Sequence, residues 1–241
     1  ESDKESDRVT KRQSDKVRDG EGISFRSLEE ALGCDFVTFH CPLNKSGRFK
    51  SYHLLNENNI DLLKSGCFLI NAARGSVISS MALKQRLLKR KDVFFYADVW
   101  ENEPYIDKEL LDVAEIGTAH IAGYTLEGKI NGTKIIYDKL CDFTGKAGTW
   151  QPFLAKVEDS VINLSGINSL QAAVIRICGK AGSLRQDDSL LRNSFNRGVN
   201  SSECFTGLRK NYLHRREFNS YYVNNVNPDL IEVLRKFRIL L

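Results

Sequence analysis

The 241-residue chain lacks the marks of several large classes of protein. No apolar stretch approaches the roughly 18 residues of a membrane span, which argues against a membrane partner. The amino terminus is wholly polar and offers no signal-peptide core. None of the six cysteines (Cys34, Cys41, Cys67, Cys141, Cys178, Cys204) forms a C-x-x-C pair, which argues against a zinc site. Cys34, Cys41 and Cys67 sit in or beside apolar runs, where a thiol packs as a small hydrophobe, and reduced thiols fit a cytoplasmic protein. The formal net charge is only +4, short of the concentrated basic face that nucleic-acid binding uses. There is no internal repeat. What remains is ordinary for a globular protein: 41% hydrophobic and 27% charged residues, enough to bury one large core or two small ones.

Residues 1–24, ESDKESDRVTKRQSDKVRDGEGIS, mix charges with almost no apolar residue. Such a segment cannot offset its ordering entropy by burial, and it reads as a disordered or non-native tail. Order begins at Phe25. Ser27 with Glu30 three residues on makes a capping box for a short helix to Leu32. The runs FVTFHCPL (36–43), CFLINAA (67–73) and VFFYADVW (93–100) read as strands, followed by a short strand and turn in EIGTAHIAG (115–123). Helices are expected over 55–66, 81–91, 107–113 and 125–145, the last with an apolar set at Ile135, Ile136, Leu140 and Phe143. Near-continuous apolar strands alternating with helices predict a parallel α/β sheet covered on both faces, with right-handed crossovers. KAGTW (146–150) is a linker candidate. Residues 149–241 read as a small α+β unit with helices over 170–182 and 228–237, the latter opened by Pro228, and a strand at SYYV (220–223).

Parallel strands place their carboxyl ends along one edge, where open α/β sheets bind ligands. His40 and Cys41 end the first strand, Asn71 and then Arg74–Gly75 the second, Asp98 and Trp100 the third with Glu103 just beyond, and His120 the last. A histidine with an ordinary pKa of about 6.5 exchanges a proton at neutral pH. A carboxylate beside it holds the ring, and an arginine fork binds a substrate carboxylate. Each residue also has a plain reading: His120 as a satisfied structural histidine, Arg74 as a surface ion pair, Glu103 as a loop carboxylate, Asp98 as a turn residue.

Taken together, N-A-A-R-G (71–75), D-V-W-E-N-E-P (98–104) and T-A-H-I-A-G-Y-T-L-E-G-K (118–129) resemble the D-2-hydroxyacid dehydrogenases. The resemblance implies an incomplete doubly wound, Rossmann-like sheet and NAD as cofactor. It implies Arg74, Glu103 and His120 as the catalytic set. Ala72, Ala73 and Arg74 would line the cofactor, Asp98 would lie near the nicotinamide, Gly123 would close on it, and Tyr124 would touch substrate. Cys41 stands where the family contacts the cofactor, and plain packing accounts for it equally well. The third motif, with L-R-K-N-Y-L-H-R-R-E-F (208–218), is similar to one narrow branch that carries a carboxyl-terminal dimerisation domain. That branch implies a homodimer acting on a phosphorylated hydroxy acid, 4-phosphoerythronate, on the way to pyridoxal phosphate. The 208–218 match argues against a phosphoglycerate dehydrogenase. The other rival is a dimerising scaffold without activity. Two positions depart from the family pattern, Ala119 for proline and Asn102 for glycine. The pyrophosphate-cradling G-x-G-x-x-G is absent, and Asp15 has no strand before it to make it the ribose-binding acid. These 241 residues alone are therefore expected to bind NAD poorly and to lack turnover.

Overall fold

The computed structural model describes residues 25–196, 201–212, 215–237 and 239–240. The expected tail over 1–24 lies outside them, as do Leu213 and His214 of the basic motif. The capping box opens α1 (Leu28–Leu32): Ser27 Oγ accepts from Glu30 N and the Glu30 carboxylate accepts from Ser27 N at 3.0 Å. Four strands follow: β1 (Phe36–Phe39), β2 (Cys67–Asn71), β3 (Val93–Ala97) and β4 (Ile116–Gly117). They pair in parallel in the order β1-β2-β3-β4. Between them lie α2 (Ser80–Arg90), capped by Ser79, and α3 (Lys108–Val113), capped by Asp107. The helix expected over 55–66 is reduced to a single 3-10 turn, Ile60–Leu62. Asparagine chemistry explains this. Asn59 Oδ1 accepts from Asn56 N, and the Asn56 and Asn59 amides donate to the carbonyls of His53 and Leu54, each at 2.8 Å. These bonds hold the backbone in turns.

One sheet face is dry. Val37, Phe39, Leu69 and Phe95 pack against Leu83 and Leu87 of α2 and Leu110 and Leu111 of α3. The other face, expected to be covered, is largely bare. Phe36, Ile70 and Phe94 are exposed, and Phe68 lies between Phe36 and Phe94 with ring centroids 4.9 and 5.0 Å away. Topology gives the reason. Strands added in one direction by right-handed crossovers put every helix on the same side. A doubly wound sheet covers its second face with crossovers running the opposite way. The described residues contain one direction only.

Helix α4 (Leu126–Thr144) ends at Gly145, which adopts the left-handed conformation at φ +67°. Its apolar set is solvent-facing, with Ile136 71% and Phe143 89% exposed. Beyond it come β5 (Val161–Asn163), α5 (Leu170–Ala181), α6 (Leu184–Asn196), α7 (Ser201–Lys210), β6 (Tyr222–Asn224) and α8 (Pro228–Lys236). β5 and β6 pair in parallel, and Ile162, Ile177, Val223 and Leu234 form a second core with α5 and α8. Helices α6 and α7 do not join that core. Leu191 and Phe205 are buried in the first one. Residues 149–241, read from the sequence as one unit, thus contribute side chains to both cores. The cause lies at β4, whose outer edge needs partners. Gly117 N donates to Asp188 of α6 at 2.7 Å, and Arg192 donates to the carbonyls of Leu111 and Ala114 at 2.7 and 2.8 Å. No helix among the described residues is long and apolar enough to cross a membrane.

Candidate active site

The loop after β2 is held by Asn71. Its buried side chain accepts from Ala73 N and donates to Arg74 O, both at 3.2 Å. Gly75 then lies flat against the next loop. A Cβ there would stand 1.9 Å from the carbonyl carbon and oxygen of Trp100. The N-A-A-R-G turn is thus clamped, backbone on backbone, to the segment that carries Glu103. Because the colliding atoms are backbone, Gly75→Ala has no flexible neighbour to push aside. An overpacking cost of about 1–3 kcal/mol is expected, read as a lower urea midpoint. An unchanged midpoint would show that the two loops are not locked together.

The loop after β3 positions the acids. Asp98 Oδ1 accepts from Thr118 Oγ1 at 2.6 Å and from Ile121 N at 2.7 Å, and Oδ2 accepts from Ala122 N at 3.0 Å. His120 N donates to Asp98 O at 2.8 Å. Asp98 thereby folds the turn that carries the histidine, and His120 sits in the left-handed region at φ +57°. Trp100, buried, donates Nε1–H to Thr118 O, and its backbone N–H donates to Glu103 Oε1, each at 2.8 Å. The other Glu103 oxygen meets His120 Nδ1 at 2.7 Å. A carboxylate only accepts, so Nδ1 carries the proton and a neutral ring is left with an accepting Nε2. Asn102 has φ +63°, a conformation that suits glycine and that asparagine tolerates, which accounts for its departure from the family pattern.

The structure brings Glu103, His120 and Asp98 together. Arg74 is exposed, and its Nη1 folds back onto Ala73 O at 2.6 Å. Ala73 is buried, Ala72 and Tyr124 are half-buried, and Gly123 is exposed. Cys41 is partly buried against the first core. Sequence reasoning passed over Glu101, which meets His53 Nε2 at 2.6 Å and Ser80 N at 3.0 Å. Burial acts to raise its pKa, but the bonds from His53 and Ser80 outweigh it and hold the carboxyl below its ordinary value. Thr118 was the other omission. Its hydroxyl bond to Asp98 was signalled only by its place in T-A-H.

A cavity of about 420 Å³ opens over the strand ends, with Asn71, Ala72, Asp98 and Thr118 on one wall and Cys178, Gly182 and Arg215 on the other. Its donor set suits a flat carboxamide ring. Asp98 Oδ2 carries one hydrogen bond and keeps a lone pair for an amide N–H, beside the Asn71 side chain and the small Ala72. The fit is confined to the nicotinamide end, because no glycine-rich turn for a pyrophosphate occurs in the sequence.

A strand-end cleft with an aspartate-built turn and a Glu–His pair defines a class, and comparison with known proteins agrees. Residues 7–122 match the model of the D-isomer specific 2-hydroxyacid dehydrogenase NAD binding domain, and residues 153–237 match a domain of unknown function. The chain belongs to the D-2-hydroxyacid dehydrogenase family. It is 42% identical over 218 residues to the erythronate-4-phosphate dehydrogenase of Proteus mirabilis, covering 89% of this chain and 57% of that one. The Salmonella arizonae enzyme of the same name is 41% identical, covering 90% and 57%, and that of Wigglesworthia glossinidia brevipalpis 37%, covering 89% and 56%. The chain thus spans little more than half the length of these relatives. The D-lactate dehydrogenase of Aquifex aeolicus, solved with NAD and lactic acid, superposes with a TM-score of 0.43 at 28% identity, over 54% of this chain and 45% of its own.

Proposed function

We propose that this chain serves in an NAD-dependent dehydrogenase that oxidises 4-phosphoerythronate to its 2-oxo acid, on the route to pyridoxal phosphate. It supplies the acid–base pair, the nicotinamide end of the cofactor site and a carboxyl-terminal unit that pairs two copies. No glycine-rich pyrophosphate cradle occurs within these 241 residues. The observation that carries this reading is the 2.7 Å bond between Glu103 and His120 Nδ1 at the carboxyl edge of the sheet.

NAD, when bound, supplies the hydride acceptor. His120 Nε2 takes the substrate hydroxyl proton while the C2–H bond breaks and the carbonyl forms. Glu103 accepts from Nδ1–H throughout and offsets the charge that the imidazole gains. Arg74 turns from Ala73 O to fork the substrate carboxylate. Asp98 holds the His120 turn and offers its spare lone pair to the carboxamide.

The test is turnover of the complete protein, followed by the absorbance of reduced nicotinamide. The kcat/KM for 4-phosphoerythronate should exceed that for 3-phosphoglycerate and for unphosphorylated erythronate by about 10⁴-fold, the scale on which a site left with unpaired polar groups rejects an analogue. Equal or better use of 3-phosphoglycerate would return the assignment to another branch of the family. No turnover with any 2-hydroxy acid would favour a dimerising scaffold.

A further inference from the structure

Tyr124 lies four residues past His120, and its ring is flanked by two cations from different elements. Lys129 Nζ, in the first turns of α4, stands 4.3 Å from the ring centroid, and Arg209 Cζ, in the last turn of α7, stands 5.5 Å from it. Tyr212 closes a third side edge-on at 6.4 Å and is itself fixed by its hydroxyl bond to Asp187 at 2.9 Å. Among the described residues no carboxylate pairs with either cation. The nearby acids are committed elsewhere: Glu217 accepts from Thr125 Oγ1 at 2.6 Å, Glu127 is bound by Arg216, and Asp187 by Tyr212. Arg209 Nε is buried and has no hydrogen-bond partner among the described residues. Two like charges held against one aromatic ring repel each other, and a buried guanidinium N–H without an acceptor is costly. A tetrahedral dianion offsets the paired positive charge. It takes a fork from arginine and a point charge from lysine, as phosphate sites do.

We propose that Lys129 and Arg209, gathered on Tyr124, form the subsite for the phosphate monoester end of the substrate. The proposal rests on the reading of Tyr124 as a substrate contact and of the substrate as phosphorylated. It gives α7 a role in the site, because this helix packs into the first core and so brings Arg209 to the strand-end edge.

Inorganic phosphate is the probe, titrated calorimetrically into this chain at constant ionic strength set with sodium chloride. A Kd on the order of 1 mM is expected. It should weaken at least about tenfold in Lys129→Met and in Arg209→Met, by the scale of a lost charge-assisted bond. It should be kept in Lys139→Met, a lysine further along α4 that pairs with Asp142. Circular dichroism checks that each variant folds. Lys129 is exposed, so its variant keeps the test open if Arg209→Met does not fold. Phosphate binding that is undetectable, or equal in the wild type and both variants, overturns the proposal. Binding that depends on the pair, in a complete protein that uses erythronate as well as 4-phosphoerythronate, leaves the anion site standing and refutes the substrate reading instead.

Discussion

Glu127→Ala is expected to destabilise the chain by about 3–5 kcal/mol, the cost of breaking a buried ion pair from one side. Glu127 is 4% exposed, yet it carries a carboxylate. Arg216 Nε donates to it at 2.5 Å and Glu217 N at 3.0 Å, and the Ser220 hydroxyl completes the set. The same strip is tied by Leu126 N to Arg215 O at 2.9 Å and by Thr125 Oγ1 to Glu217. Residues 125–127, just beyond the catalytic turn, are thus docked on residues 215–220. Removing the carboxylate leaves Arg216 only 16% exposed at its side chain and facing no charge. Burial alone would raise the Glu127 pKa, but the bonds from Ser220 and Arg216 outweigh it, and the folded value lies below the ordinary 4.5. For a carboxyl depressed in the folded state, the linked stability is present above the unfolded pKa and is lost as pH falls through the folded one. The wild type should therefore shed stability below about pH 4.5, while Glu127→Gln, weaker throughout, should show a flatter profile there. Urea unfolding at neutral pH and at pH 3–4 checks both. A neutral-pH loss under 1 kcal/mol would mean that this contact does not hold the two regions together.

How much of this was legible beforehand depends on how local the signal is. Ser27 with Glu30 and Pro228 at the start of α8 announce their helices because such signals are read within four residues. The three apolar strands are equally plain. The bare sheet face was not, because apolar runs report that a strand is buried in some context, not which chain covers it. Phe36, Phe68 and Phe94 carry the composition of a two-sided sheet while only one side is filled here. The loss of the helix over 55–66 turned on Asn56 and Asn59 side chains competing for backbone groups, which helical spacing does not register. Helix α6 was missed because its polar residues, Asp188 and Arg192, serve a distant partner, the edge of β4. In the site, residue types gathered by strand ends pointed to His120, Glu103 and Asp98. The Glu127–Arg216 contact spans 89 residues and no local pattern encodes it.

Replacing His120 by Asn should cut kcat of the complete enzyme by about 10²–10⁴, the range contributed by a positioned general acid–base group. The choice of asparagine follows from the backbone. His120 adopts φ +57°, and asparagine is among the few residues besides glycine that accept this conformation readily. The Asp98 bonds to the turn run to the backbone N–H groups of Ile121 and Ala122 and to the Thr118 hydroxyl, none of which the substitution removes. The fold, the turn and the carboxamide end of the cofactor site should therefore survive, and NAD affinity and melting temperature should stay close to wild type. What disappears is the only group in the turn able to hold the hydroxyl proton as C2 loses hydride, since an amide does not titrate at neutral pH. Glu103→Gln separates the two roles. The amide oxygen can still accept from Nδ1–H, but the NH2 then faces the Trp100 N–H that Glu103 Oε1 accepted, and the side chain carries no charge to offset the imidazolium, so kcat should fall, though by less than in His120→Asn. Turnover of 4-phosphoerythronate within a few-fold of wild type in His120→Asn would remove His120 as the base and with it the reason for reading the Glu103 contact as catalytic.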